Sequence, residues 1–160
     1  MAVFTKIGLA SDHAGKELKS FILEFLKVSG VETIDFGMSS LESKTVDYPD
    51  YAKILAEHIV SGRIQAGIAI CGTGLGMAIS ANKFPGIRAA CVWDEYSCRM
   101  SRSHNDINML CLGGRTLNPH RAADLVKLWM ETSFEGDRHQ HRLEKIKEIE
   151  KKNFRIKDSK

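Results

Sequence analysis

Two observations predict an α/β fold for this chain of 160 residues. Short apolar runs alternate with segments of helical periodicity from one end to the other. The runs are nearly continuous in apolar residues, as strands covered on both faces must be. Strands alternating with helices make βαβ crossovers and hence a parallel sheet. The expected architecture is three-layer αβα and Rossmann-like: an open parallel five-stranded sheet with an extra C-terminal helix. No linker, internal repeat or low-complexity segment interrupts the pattern. Residues 1–152 are therefore expected as a single domain and 153–160 as a basic tail. Periodicity does not give the order of the strands.

The elements follow in order. KIGLAS (6–11) is the first strand. Residues 14–29 are a helix with Leu18, Ile22, Phe25 and Leu26 on one face, stopped by Gly30. VETIDF (31–36) is the second strand, and the polar residues 37–47 are a loop. Residues 47–62 form a helix ended by Gly62, and AGIAIC (66–71) is the third strand. A helix then runs to about Asn82. GIRAACVW (86–93) is the fourth strand, 94–104 a helix, and INMLCLGG (107–114) the fifth strand. Residues 119–134 are helical, and a last helix starts near Asp137 and enters the tail.

Composition excludes several classes. With 43% hydrophobic and 27% charged residues and only 3 Pro, the chain is a folded protein rather than a disordered one. Its apolar runs are strand-sized, far below the roughly 20 residues of a membrane span. MAVFTKIGLASDH has no signal-peptide layout, so a cytoplasmic location is expected. The cysteines Cys71, Cys91, Cys98 and Cys111 form no CxxC pair and have no ligand-like spacing with histidine. They read as reduced thiols, with neither disulfides nor a metal site expected. The net charge of +3 is carried by the end of the chain: residues 141–160 hold 8 Lys+Arg against 4 Asp+Glu. Acids are interleaved there and no aromatic pattern accompanies them. This is a solvated helix end rather than a nucleic-acid arm.

In parallel sheets the chemistry sits outside the carboxyl ends of the strands. The third strand ends in ICGTGLG, where Gly72, Gly74 and Gly76 follow Cys71. Alternate glycines opening a helix let backbone N–H groups approach an anion, and the helix end favours a thiolate. The spacing G-x-G-x-G after a third strand does not match the dinucleotide fingerprint G-x-G-x-x-G, and no Gly-Lys-Ser/Thr follows. Cys91 and Cys111, within strands, and Cys98, on a helix, read as buried filler. Ser11-Asp12-His13 follows the first strand, where Asp12 is also a natural helix cap. SRSHND (101–106) holds His104 and Asn105 in a segment whose Asn and Asp suit a turn. In DRHQHR (137–142), Arg138 and Arg142 are four apart on one helix face, a geometry suited to phosphate, with His139 and His141 alongside.

ASDHAG, VDYP, ICGTGLGMAISANKFPGIRAA, SRSHNDINMLCLGGR and FEGDRHQHR together resemble the type B ribose-5-phosphate isomerases. The relatives of that family act on galactose 6-phosphate and allose 6-phosphate. The resemblance runs from about residue 5 to about residue 152. It implies a cofactor-independent aldose–ketose isomerase that works through an enediolate. Cys71 would move the proton between C1 and C2, assisted by Thr73. The N–H groups of the turn with Gly72, Gly74 and Gly76 would hold the enediolate oxygen. Asp12 and His104 would open the sugar ring, with Asn105 near the reacting end. Arg138, Arg142, His13 and Arg115 would hold the phosphate. The resemblance further implies a homodimer with shared active sites, His104, Asn105 and Arg115 coming from the partner chain. Pairing of dimers into a tetramer stays open. Asp137 departs from what a phosphate clamp wants and reads as a cap of the last helix. No cofactor, metal, nucleic acid or membrane is implied.

Two other readings compete. One is an isomerase of a six-carbon sugar phosphate, which changes pocket depth and not the chemistry. The other is a non-catalytic module that only holds a sugar phosphate or nucleotide. The full set of Asp12, His13, Cys71, Thr73, His104, Arg138 and Arg142 in one chain favours catalysis on ribose 5-phosphate.

Overall fold

The computed structural model describes residues 3–37 and 45–154. The expected elements are present, mostly with tighter bounds. They are β1 (Lys6–Ser11), α1 (Lys16–Val28), β2 (Glu32–Asp35), α2 (Tyr48–Val60), β3 (Ala66–Cys71) and α3 (Leu75–Ala81). After them come β4 (Ala89–Cys91), α4 (Glu95–Ser103), β5 (Met109–Gly113), α5 (Pro119–Glu131) and α6 (Asp137–Asn153). Part of the expected 37–47 loop, residues 38–44, and residues 155–160 of the expected tail lie outside the described residues. No helix among the described residues is long and apolar enough to cross a membrane.

All four strand pairings are parallel, and the sheet order is β2-β1-β3-β5-β4. Each central strand sorts its side chains by size between the two faces. Ile7, Leu9, Ile68, Ile70, Leu110 and Leu112 point into a core shared with α1, α4 and α5. Ala10, Ala69, Cys71, Met109 and Cys111 point to the other face, under α2 and α3. Period-two alternation therefore holds even though both faces are buried. The bulky face receives Ile22, Leu26, Leu125 and Trp129, all fully buried. Each such aliphatic side chain contributes about 1.5–3 kcal/mol by leaving water. The small-residue face lets α2 and α3 lie close to the sheet and carries Cys71 with it.

The sequence does not reveal that Lys19 and Arg102 are buried. Lys19, on the inner side of α1, is 1% exposed, and its Nζ donates to both carboxylate oxygens of Asp35 at 2.6 Å. The expected helix over 119–134 ends earlier, at Glu131. Thr132 adopts an extended conformation there, and its hydroxyl donates to the Leu128 carbonyl at 2.6 Å. The chain then runs without regular structure to Gly136, and the Glu135 N–H donates to the Ser103 carbonyl. That bond ties the start of α6 to the end of α4. The expected fourth strand over 86–93 shrinks to three residues, because only Ala89, Ala90 and Cys91 pair with β5.

Candidate active site

β2 follows β1 to one side of the sheet and β3 lies on the other, so the chain reverses direction between β1 and β3. A crevice outside the strand ends is expected at such a point. A cleft of about 470 Å³ opens there. Asp12, His13, Cys71, Gly72, Thr73, Gly76 and Arg115 line it. Tyr48 and Ile79 line it too, and sequence reasoning gave neither of them a role. Tyr48 belongs to the VDYP motif, which was the available signal.

Close packing of backbone builds the floor. Gly74 has φ 82°, in the left-handed region that favours glycine, and is the residue before α3. A Cβ there would sit 2.7 Å from the Cys91 sulfur. With the turn so shaped, the Gly74 N–H donates to Cys71 Sγ at 3.1 Å. Thr73 is exposed beside it, its Oγ1 3.4 Å from the Leu75 N–H. The loop after β5 closes over this turn: the Gly114 N–H donates to the Cys71 carbonyl at 2.7 Å, and the Arg115 N–H to the Gly72 carbonyl at 3.0 Å. These bonds place Arg115 in the cleft of its own chain. The resemblance implies an Arg115 from the partner chain; here the chain's own Arg115 lines the cleft.

Asp12 is 5% exposed, and its Oδ1 accepts from the N–H groups of Ala14 and Gly15 at 2.9 and 3.1 Å. Asp12 therefore braces the turn before α1 rather than capping the helix as expected: Gly15 is the N-cap and no side chain caps it, and Asp12 also lines the cleft. His13 Nδ1 lies 3.1 Å from the Val46 carbonyl, which holds the ring beside α2.

His104, Asn105, Arg138 and Arg142 do not line this cleft. They form a second group, where the end of α4 meets the start of α6. Asp106, at φ 44°, organises the turn between them and β5. Its carboxylate accepts from Arg88 at 2.8 Å and from the buried Arg102 at 2.7 Å. Arg88 also donates to the Asn105 and Asp106 carbonyls, and Arg102 to the Ile107 carbonyl. Turn chemistry thus accounts for the Asp of SRSHND and presents His104 and Asn105.

The His104 ring stacks on His139, centroids 4.0 Å apart and planes 10° from parallel. Sequence reasoning left His139 without a role, yet it is the buried residue of α6. Arg138 and Arg142 converge on it: Arg138 Nε donates to Nε2 at 3.2 Å, and Arg142 Nη1 lies 3.4 Å from Nδ1. Asp137, expected as a cap of α6, makes no side-chain cap bond and stands in its first turn.

His104, Glu135 and His139 bring potential ligand atoms within 4.8 Å of one another. Chelation would require the parallel rings to turn toward a common point, with two guanidinium groups beside the ion. The chemistry of this group suits an anion better. Among the four cysteines, burial raises Cys91 to about 11 and Cys98 to about 12. Burial also raises Cys111 well above the usual thiol value, with Cys91 and Cys71 adding to it. These three stay protonated and fill space.

Comparison with known proteins agrees with the geometry. Ribose-5-phosphate isomerase B of Escherichia coli is 44% identical over 147 residues, spanning 92% of this chain and 97% of the relative. A solved structure of ribose-5-phosphate isomerase B from Clostridium thermocellum has a TM-score of 0.89 at 52% identity, covering 92% of this chain and 98% of that one. The enzyme from Mycoplasma genitalium, solved with ribulose 5-phosphate bound, has a TM-score of 0.86 at 37% identity, covering 92% and 97%. Residues 7–146 match the family described as Ribose/Galactose Isomerase. That span takes in β1 through most of α6, including the thiol turn and the arginine pair, and the chain belongs to this family.

Proposed function

We propose that this chain interconverts ribose 5-phosphate and ribulose 5-phosphate, with Cys71 as the acid/base. The observation that carries the reading is the Cys71 sulfur in the switch-point cleft, facing a backbone N–H donor. An N–H bond to sulfur strengthens when the sulfur is negative. The relative with ribulose 5-phosphate bound supports the five-carbon substrate.

In the open-chain sugar, Cys71 thiolate takes the proton from C2 and leaves an enediolate. The thiol returns the proton to C1 while the C2 hydroxyl proton passes to the C1 oxygen, giving the ketose, and no electron leaves the substrate. Backbone N–H groups of the 72–76 turn meet the oxygen where charge develops. Positioning contributes much of the rate, up to ~7–11 kcal/mol. Asp12 and His104 open the ring, Thr73 binds sugar hydroxyls, and Asn105 stands near the reacting end. His13 and Arg115 grip the phosphate from the cleft side, and Arg138 and Arg142 complete the grip.

His104, Asn105, Arg138 and Arg142 lie apart from Cys71 in one chain, so they serve the cleft of a second copy. Exposed apolar side chains beside the cleft (Leu75 and Ile79 on α3) and on α6 (Ile146 and Ile149) support a homodimer. The four free thiols suit the reducing cytoplasm.

The test is conversion of ribose 5-phosphate by purified protein in EDTA, with Cys71→Ser alongside. The wild type turns over, and the variant loses about 10²–10⁴-fold. Turnover of a six-carbon sugar phosphate alone would move the substrate. No turnover of either would leave a binding module.

A further inference from the structure

We infer that His139 is a positioning residue that holds Arg138 by a hydrogen bond and backs Arg142 and His104 with its ring, making one anion-binding unit. The inference rests on the isomerase reading for the identity of the anion, the substrate phosphate.

His139 is 2% exposed at the start of a helix that otherwise lies on the surface. Helical spacing puts it about 80° from the middle of the Arg138/Arg142 face, which turns it inward. Both guanidinium groups remain on the exposed side and reach back to the ring. Arg138 Nε donates to Nε2, so Nε2 is the acceptor and the neutral ring carries its proton on Nδ1. Arg138 thereby spends Nε on the imidazole, and its terminal nitrogens are left to face outward as a fork. The parallel stack on His104 gives that residue a flat support. Glu135 Oε2 stands 3.6 Å from His139 and 3.9 Å from His104, partly offsetting the cluster's positive charge. Arg138, Arg142, His104, Glu135 and Asp137 are the charged or titratable groups around the ring. Burial, His104 and the two arginines all depress protonation of His139, and Glu135 opposes them. A neutral ring can accept from a guanidinium; a protonated one cannot.

Without this acceptor Arg138, long and exposed, would lose side-chain freedom only when substrate binds, at a cost to affinity. Loss of His139 should therefore act mainly on binding.

Two variants separate positioning from mere structure. His139→Phe keeps the ring and its stack on His104 but removes the acceptor. His139→Gln supplies an acceptor oxygen without the ring. For ribose 5-phosphate, His139→Phe is expected to raise KM about tenfold, the loss of one hydrogen bond to a charged group, with kcat changed less. His139→Gln recovers most of the KM. Calorimetric binding of inorganic phosphate should weaken in the Phe variant and recover in the Gln variant. An unchanged KM and phosphate affinity in folded His139→Phe would overturn the inference. So would equal losses in both variants that track a fall in Tm. If the wild type does not turn over ribose 5-phosphate, the isomerase reading fails, and the phosphate-binding arm decides for or against His139 by itself.

Discussion

The Gly74 N–H donates to the Cys71 sulfur at 3.1 Å, and only the left-handed backbone at Gly74 aims it there. A side chain at Gly74 meets both the φ of 82° and the Cys91 sulfur 2.7 Å away. Gly74→Ala should therefore destabilise the fold by roughly 1–3 kcal/mol. It should also cost more turnover than stability alone explains, because the turn must shift and take the donor with it. Urea denaturation beside kinetics on the folded variant measures the two effects separately.

Of the four cysteines, Cys71 is the one that lines the cleft, with the Gly74 N–H on its sulfur. Cys91 and Cys98 stand near 11 and 12, and Cys111 is raised as well. Iodoacetamide at pH 8 should modify Cys71 first and spare the other three in the folded protein, with activity lost in step. Peptide mass spectrometry reads the site. Cys71 is 5% exposed and Cys91 is half-buried, so modification of Cys91 before Cys71 would count against a reactive thiol at the cleft.

Asp106 neutralises Arg102, whose side chain is 3% exposed, and also binds Arg88. Asp106→Ala leaves a buried guanidinium unpaired and should cost roughly 3 kcal/mol. The turn bearing His104 and Asn105 loses its brace, so activity should fall with stability. Asp106→Asn, which keeps acceptor oxygen and tolerates the positive φ, should lose less of both. Chemical denaturation curves rank the two.

Stability should fall as pH drops from 7 toward 5. His139 protonates less readily folded than unfolded, so below the ordinary histidine value near 6.5 the unfolded chain binds the extra proton. Stability is then lost until the folded value is passed. His139→Gln should flatten this part of a Tm-against-pH curve. Asp94 acts in a lower window. The Ser97 backbone and hydroxyl hold its carboxyl below 3.8, so its contribution is present above that value and is lost as pH falls further. The two windows separate in one titration.

Much of this was legible in the residues. The alternation of short strand-like runs with helical segments found all five strands, even β2 (ETID) and β4 (AAC), which are short and only partly buried. It could not order them, because β3, β5 and β4 carry similar runs and pairing is settled by helix packing across the sheet. The thiol turn was legible because its glycines announce close backbone approach. The place of the chain's own Arg115 in the cleft was not, since a hydrogen bond to Gly72 across two loops sets it. His139 escaped because it lies between two arginines, and charge drew attention from the one residue that turns inward. Lys19 escaped for the opposite reason: its burial depends on Asp35, which stands on a different element.

The claim that one copy's Cys71 works with a second copy's arginines has a direct test. Cys71→Ser and Arg138→Ala chains are each purified, shown to be inactive or nearly so, then mixed under conditions that exchange subunits. Each mixed dimer holds one intact site, so activity should return to about a quarter of the wild type at equal amounts. Mixtures that exchange fully and stay inactive would contradict the shared site.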